Sequence, residues 1–221
     1  ALAMVDAAER PALFIGHGVT LAEASAELTE LAERLTIPVI SSPNGMGCIP
    51  MAHPLSLGFI GRNGTFPANQ AGRHTDLVIA VGARFDDRSS SSWIPGYSWN
   101  FPGTKLIHVD IDVDEIGRNY VPDLGITADA GSFLRQMLGG AEAAGGEVPA
   151  RAAWLAEIEG WREEWQRFVE PNFELRTSPL RPEQVVADIR AVLPDDAIIS
   201  LDSGVHHNWF MQFWEARAPQ T

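Results

Sequence analysis

The feature that most constrains this chain is the regular exchange of short apolar runs with helix-period patterns over roughly its first 140 residues. Residues 12–15, 37–40, 77–81, 106–111 and 125–128 form the apolar runs. Between the first two, Leu21, Ala24, Leu28, Leu31 and Leu35 recur at spacings of three and four, which predicts a helix with one apolar face. Thr20 and Glu23 lie three apart at its start, a capping-box pattern in which each side chain satisfies an orphan amide. A further helix is expected at about 131–138. Runs that are apolar throughout, rather than alternating, predict parallel strands buried on both faces. The fold class is therefore α/β, a parallel β-sheet flanked by helices. Such sheets take ligands beyond the carboxyl ends of their strands.

Gly139-Gly140 and Gly145-Gly146 mark an expected boundary, giving a first unit at 1–140, a linker with an amphipathic helix at 141–180, and a last unit at 181–221. Trp154, Ile158, Trp161, Trp165 and Phe168 recur at helical spacing, a stripe expected to pack against the body of the protein. Pro182 opens a helix whose face is Val185, Ile189 and Leu193. Residues 197–201 read as a strand, and a final helix includes Trp209, Phe210, Phe213 and Trp214. A single strand without neighbours cannot build a sheet, so the chain is expected to be a middle portion of a longer protein.

Composition excludes several classes. A formal net charge of -13 without a Lys/Arg cluster argues against a nucleic-acid surface. No apolar run approaches the roughly 20 residues of a membrane span, and the start lacks the basic-then-apolar order of a signal peptide. Cys48 is the only cysteine, which excludes an intrachain disulfide and fits a reducing, cytoplasmic setting. The histidines have no zinc spacing, and no G-x-S-x-G elbow is present, so no catalytic or metal-ligating residue is assigned. Ser89 to Ser92 read as a mobile polar loop, with Trp93, Tyr97 and Trp99 fastening its far side.

The candidate binding residues sit at strand ends. Gly16-x-Gly18 follows the first strand, although Leu21 stands where a dinucleotide fingerprint has its third glycine. Gly82-Ala83-Arg84-Phe85-Asp86-Asp87-Arg88 follows the strand at 77–81. It offers either two guanidinium forks for a phosphate, with Asp86 and Asp87 orienting them or accepting ribose hydroxyls, or a surface network of Arg–Asp pairs. Asp110 is placed to hold a ribose, whereas Asp112 and Asp114, alternating with it, lack the glycine turn of a calcium loop. Gly45-Met46-Gly47 and the turn bounded by Gly61 and Gly64 let backbone lie against a flat or extended cofactor, and Met46 either covers a ring or fills a gap.

Several stretches in order, HPLSLGFIGRNGTFPAN (53–69), DLVIAVGARFDDR (76–88), TKLIHVDIDVDEIGRN (104–119) and, further on, SPLRPEQVV and LDSGVHHNWFMQ (201–212), resemble the acetolactate synthase large subunit and related thiamine-diphosphate enzymes. The resemblance implies a Rossmann-like central domain followed by the opening of a pyrophosphate-binding domain. It also implies a parent enzyme that joins 2-oxo acids with loss of carbon dioxide, using thiamine diphosphate as electron sink and Mg2+, and that assembles as a homo-oligomer. FAD would lie along the loops at Gly16 to Gly18, Gly45 to Gly47, Gly61 to Gly64 and Gly82 to Arg88. Asp110 and Asp129 would meet its adenosine half, Arg84 its diphosphate or the neighbourhood of it, and Ile111 is a further cofactor-binding candidate. Gly204 and His206 would lie near the diphosphate of thiamine diphosphate. Val205 replaces the commoner glutamine, Arg62-Asn63 replaces Met-His, and His17 interrupts a run of glycines. The activating glutamate belongs to an amino-terminal pyrimidine-binding domain and the metal motif to the remainder of the third domain, so this portion alone is expected to be inactive. Alternatives are a 2-oxo acid decarboxylase or glyoxylate carboligase, or a purely structural or nucleotide-sensing module.

Overall fold

The computed structural model describes residues 1–145, 151–175 and 177–218. Helix α1 (Leu2–Ala7) leads into β1 (Pro11–Ile15), then come α2 (His17–Leu21), α3 (Ser25–Leu35), β2 (Val39–Ser41), β3 (Ser56–Phe59) and α4 (Phe66–His74). The second half runs β4 (Leu77–Val81), β5 (Lys105–Asp110), β6 (Leu124–Thr127) and α5 (Ala130–Ala144), followed by α6 (Ala152–Glu174), α7 (Pro182–Val192) and α8 (Val205–Phe213). The strands form one six-stranded sheet in the order β3-β2-β1-β4-β5-β6, with every neighbouring pair parallel.

The two central strands, β1 and β4, are buried at every position. Successive strand side chains point to opposite faces, and they divide accordingly. Leu13 and Ile15 join Ile79, Val81, Ile107 and Val109 in a core closed by Leu28, Leu31 and Leu35 of α3 and Phe133, Leu134 and Met137 of α5. Ala12 and Phe14 join Val78, Ala80 and Leu106 in a second core, closed by Ala68 and Ala71 of α4 and Trp154 and Ile158 of α6. Both faces are thus covered, which explains why the strands lack a polar alternation. Among the described residues no helix is long and apolar enough to cross a membrane.

The periodic helix after β1 differs from expectation. It is broken into α2 and α3, with Glu23 in left-handed backbone at φ 51° between them. Thr20 therefore cannot cap α3; its hydroxyl is buried and pairs with the Cys48 thiol at 3.0 Å. Leu21, at 73% exposure, is turned out of the core to which Ala24 and Leu28 belong. Strand β3 and helix α4 flank the expected glycine turn at 61–64, and neither is expected from the sequence. Strand β3 has only four residues, with Gly58 at φ +77°, and so carries no periodic signal. Helix α4 starts on the Thr65 hydroxyl, which accepts from the Ala68 amide, with Pro67 in its first turn.

Further differences lie beyond the sheet. Helix α5 continues through Gly139 and Gly140 to Ala144, and the stop is Gly145 in left-handed conformation; Gly146 lies outside the described residues. In α6 the aromatic stripe packs as expected through Trp154 and Ile158, and Trp165 stacks with Phe66 and Phe213, whereas Phe168 is 70% exposed. Arg151, just ahead of α6, is buried and donates to the carbonyls of Val5 and Leu35, in the last turns of α1 and α3. In α7 the expected Ile189 and Leu193 pack against the cluster of Val186, Trp214 and Ala216, whereas Val185 is exposed and the fully buried positions are Glu183, Gln184, Val186 and Arg190. Residues 197–201 form no strand, and Ile198 is 78% exposed: among the described residues no strand lies alongside to supply ladder hydrogen bonds. Of the serines expected to be mobile, Ser89, Ser90 and Ser91 are buried and packed, whereas Ser92 is exposed. Trp99 is the anchor, donating its indole N–H to the Ser89 carbonyl from within the core.

Candidate functional site

The sheet order reverses between β1 and β4, and the loops leaving these two strands part to opposite sides. Backbone hydrogen bonds hold their first residues together: the Gly16 amide donates to the Val81 carbonyl and the Gly18 amide to the Gly82 carbonyl, each at 3.1 Å. This approach demands glycine. A Cβ on Gly16 would sit 2.2 Å from the Gly82 carbonyl oxygen, and one on Gly82, at φ +54°, would sit 2.6 Å from the Gly18 Cα. Above them opens a cleft of about 710 Å³, rimmed by the loops after β1, β2, β4, β5 and β6. Its volume falls in the range of small-molecule and cofactor sites, roughly 300–1,000 Å³.

Gly16, Gly18, Gly82, Arg84, Asp86, Arg88, Asp110, Ile111 and Asp129 all line this cleft. Asp110 is nearly buried and its Oδ1 accepts from the Asp112 amide at 2.9 Å; Asp112 accepts likewise from the Asp114 amide. The alternating acids thus build consecutive Asx turns. Asp129 caps α5, accepting from the Ser132 amide at 2.8 Å, and that bond holds its carboxyl below the usual range. Ile111, 74% exposed, offers an apolar surface beside Asp110.

The basic residues have different partners. Arg84 pairs with the buried carboxylate of Glu115 at 3.6 Å, which also receives Arg118 at 2.7 Å. Asp86 bonds the amide and hydroxyl of Ser89, fixing its own loop and not an arginine. Asp87 holds Arg62 at 2.5 Å, and the hydroxyl of Ser92 is the main cause of its lowered pKa. Arg88 donates to His207 Nδ1 at 3.2 Å and to Asn208 Oδ1 at 3.4 Å. Beneath the loop, buried His108 meets the Ala83 carbonyl through Nε2 at 3.2 Å, and burial lowers its pKa.

The remaining sequence candidates lie outside this cleft. Gly45 is pressed on the Ile15 carbonyl and Gly47 on residue 218. Met46 lines a neighbouring cavity of about 450 Å³, together with Phe210, Met211 and Trp214. Gly61 and Gly64 form a tight turn packed on the Arg88 carbonyl and the end of β3. Gly204 and His206 are exposed at the start of α8, whereas the next histidine, His207, lines the cleft. The sequence reading also missed Ser42, Pro43 and Asn44, the cleft wall after β2. Their signal was position alone, directly after a short apolar run. Among the described residues, no group of three or more His, Cys, Asp or Glu is placed to hold a metal ion.

A parallel α/β sheet with a glycine-walled cleft where the strand order reverses defines a Rossmann-like domain. Within that class, residues 1–137 match the model for the thiamine pyrophosphate enzyme central domain, and the chain belongs to that family. It is 34% identical to the probable acetolactate synthase large subunit of Methanocaldococcus jannaschii, over 99% of this chain and 36% of that protein. Identity is 35% to the acetolactate synthase isozyme 1 large subunit of Escherichia coli K12, over 100% of this chain and 36% of the relative. With the acetolactate synthase large subunit of Parasynechococcus marenigrum it is 36%, over 96% and 33%. The chain thus spans about a third of the length of these curated relatives.

Proposed function

We propose that this chain is the cofactor-holding central region of a thiamine-diphosphate-dependent 2-oxo acid carboligase of the acetolactate synthase type, and that its cleft takes an extended dinucleotide, FAD. The observation that carries this reading is the cleft at the reversal of strand order, walled by Gly16, Gly18 and Gly82, whose loops pack too closely on one another to bear side chains. The cleft's charges fit such a molecule end to end. Arg84 and Arg88 suit a diphosphate, and Asp110 and Asp129 suit ribose hydroxyls. Joining two 2-oxo acids with loss of carbon dioxide needs no net electron transfer, so a bound flavin supplies shape and charge to the fold. The protein's own residues bind and orient: Glu115 steers Arg84, the Ser89 contacts of Asp86 fix the loop, and Ile111 covers an apolar face.

For thiamine diphosphate the fit differs. Exposed Gly204 and His206 alone do not enclose a diphosphate. Under this reading the missing contacts come from an amino-terminal pyrimidine domain, the rest of the pyrophosphate domain and a second subunit, in a cytoplasmic homo-oligomer. The test is titration of the 221-residue chain with FAD, followed by flavin fluorescence and by thermal unfolding. Saturable binding that Arg84→Ala weakens supports the proposal; no binding at millimolar FAD sinks the flavin assignment. Acetolactate formed from pyruvate, thiamine diphosphate and Mg2+ by this chain alone would contradict the expected inactivity.

A further inference from the structure

Arg84 and Arg62 each have a carboxylate partner, whereas Arg88 has none within 4 Å among the described residues. Its guanidinium is held instead by two neutral groups of α8. Because arginine has no acceptor, the lone pair on His207 Nδ1 must face it, leaving the ring proton on Nε2 and the ring uncharged. Burial, then the Arg88 charge, then His206 all lower the His207 pKa, in keeping with a neutral ring. Asn208 Oδ1 receives both Arg88 and, at 2.8 Å, the Asn63 amide group; Gln212 of α8 donates to the Asn63 carbonyl at 3.0 Å. On the backbone side the Arg62 amide donates to the Arg88 carbonyl at 3.1 Å, and Gly61 leaves no room for a side chain there. The 61–64 turn, which stands outside the cleft, thereby fixes the Arg88 backbone while α8 fixes its head.

We infer that His207 and Asn208 are positioning residues that present Arg88, with its charge uncancelled, to an anionic oxygen in the cleft, so that occupancy of the cleft and docking of α8 are coupled. The inference rests on the reading of the cleft as a ligand site and adds the C-terminal segment to it. A cation held only by dipoles on a cleft wall attracts an anion more strongly than one already paired. The anionic oxygen could belong to a dinucleotide diphosphate or to a 2-oxo acid carboxylate. Linkage makes the coupling reciprocal: an anion on Arg88 protects α8, and loss of α8 weakens the anion.

Two measurements on the 221-residue chain decide it. The first is a double-mutant cycle between Arg88→Ala and Asn208→Leu, read as hydrogen exchange of residues 205–213. Non-additive loss of protection is expected, and strict additivity overturns the coupling whether or not any ligand binds. The second titrates FAD and pyruvate separately into the wild type, His207→Leu/Asn208→Leu and His207→Asn/Asn208→Leu. We expect the Leu pair to weaken one probe about tenfold and flatten its salt dependence. The Asn variant, whose Oδ1 can stand where Nδ1 does, should recover part of that loss. The probe affected identifies the anion's source. Unchanged affinity for a probe that the wild type binds, or no recovery with asparagine, refutes the positioning role. If the wild type binds neither probe, the cleft reading fails as well, while the exchange cycle still decides the contact.

Discussion

Replacing Gly82 by alanine tests the closest point of the site. Gly82 has φ +54°, a left-handed conformation that costs a residue with a Cβ about 1–2 kcal/mol. The new methyl would lie 2.6 Å from the Gly18 Cα, about 1 Å inside an optimal carbon contact. Both walls are backbone, so no side chain can swing away, and overpacking of this kind costs about 1–3 kcal/mol. A stiffer unfolded chain offsets about 0.5–1 kcal/mol. The net expectation is a loss of about 3 kcal/mol, or about 6–12 °C in Tm for a chain of this size. On the proposed flavin reading, parting the loops should also weaken FAD about tenfold, which corresponds to about 1.4 kcal/mol. Gly96→Ala is the control: φ is +72°, but nothing lies within 4 Å of its Cβ, so only the backbone cost of about 1–2 kcal/mol, less the same offset of about 0.5–1 kcal/mol, applies and binding is unchanged. Urea unfolding and flavin titration of both variants provide the readout. If Gly82→Ala unfolds within about 0.5 kcal/mol of wild type, below the smallest sum of these terms at about 1 kcal/mol, the close approach of the two loops is wrong.

Three further outcomes are expected. Gly139→Ala lies inside α5 with nothing within 4 Å and should stabilise by about 0.5–1 kcal/mol, visible as a raised urea midpoint; destabilisation would mean that the helix does not run through this position. Asp129→Ala removes the α5 cap and should cost about 1 kcal/mol, with Asp129→Asn recovering most of it in the same assay. His108 has a folded pKa below its unfolded value of about 6.5, because burial disfavours the cation. Its contribution is therefore present above about pH 6.5 and is lost as the pH falls through the folded pKa. Unfolding free energy measured from pH 8 to 5 should fall less steeply in His108→Gln, and an identical slope would count against a buried neutral ring.

Much of the sheet was legible because a strand buried on both faces has little choice but to be apolar throughout. Leu77–Val81 is the clearest case, and the neighbouring candidates differ from their strands only at the ends. Strand β3 was not, since four residues with a glycine among them show no period. The break between α2 and α3 was hidden for the opposite reason: Leu21 extends the helical spacing by chance while its side chain faces outward. In the site, glycine at strand ends indicated which loops approach one another. It could not separate Gly16 and Gly82, which wall the cleft, from Gly61 and Gly64, which pack a turn behind it. His207 escaped notice because its role depends on where α8 docks, which is a long-range fact: Arg88 lies 119 residues earlier in the chain.

The reversal of strand order at the middle of the sheet also governs when the cleft comes into being. Strands β2 and β3 can join β1, and β5 and β6 can join β4, through comparatively near neighbours in the chain. The seam between β1 and β4 instead closes a long loop, as the Arg10 amide reaching Asp76 across 66 residues illustrates. Loop-closure entropy makes such pairings late and slow. The two walls of the cleft therefore meet only when the halves join, so a ligand that spans them acts chiefly by delaying unfolding, and leaves the speed of folding almost untouched.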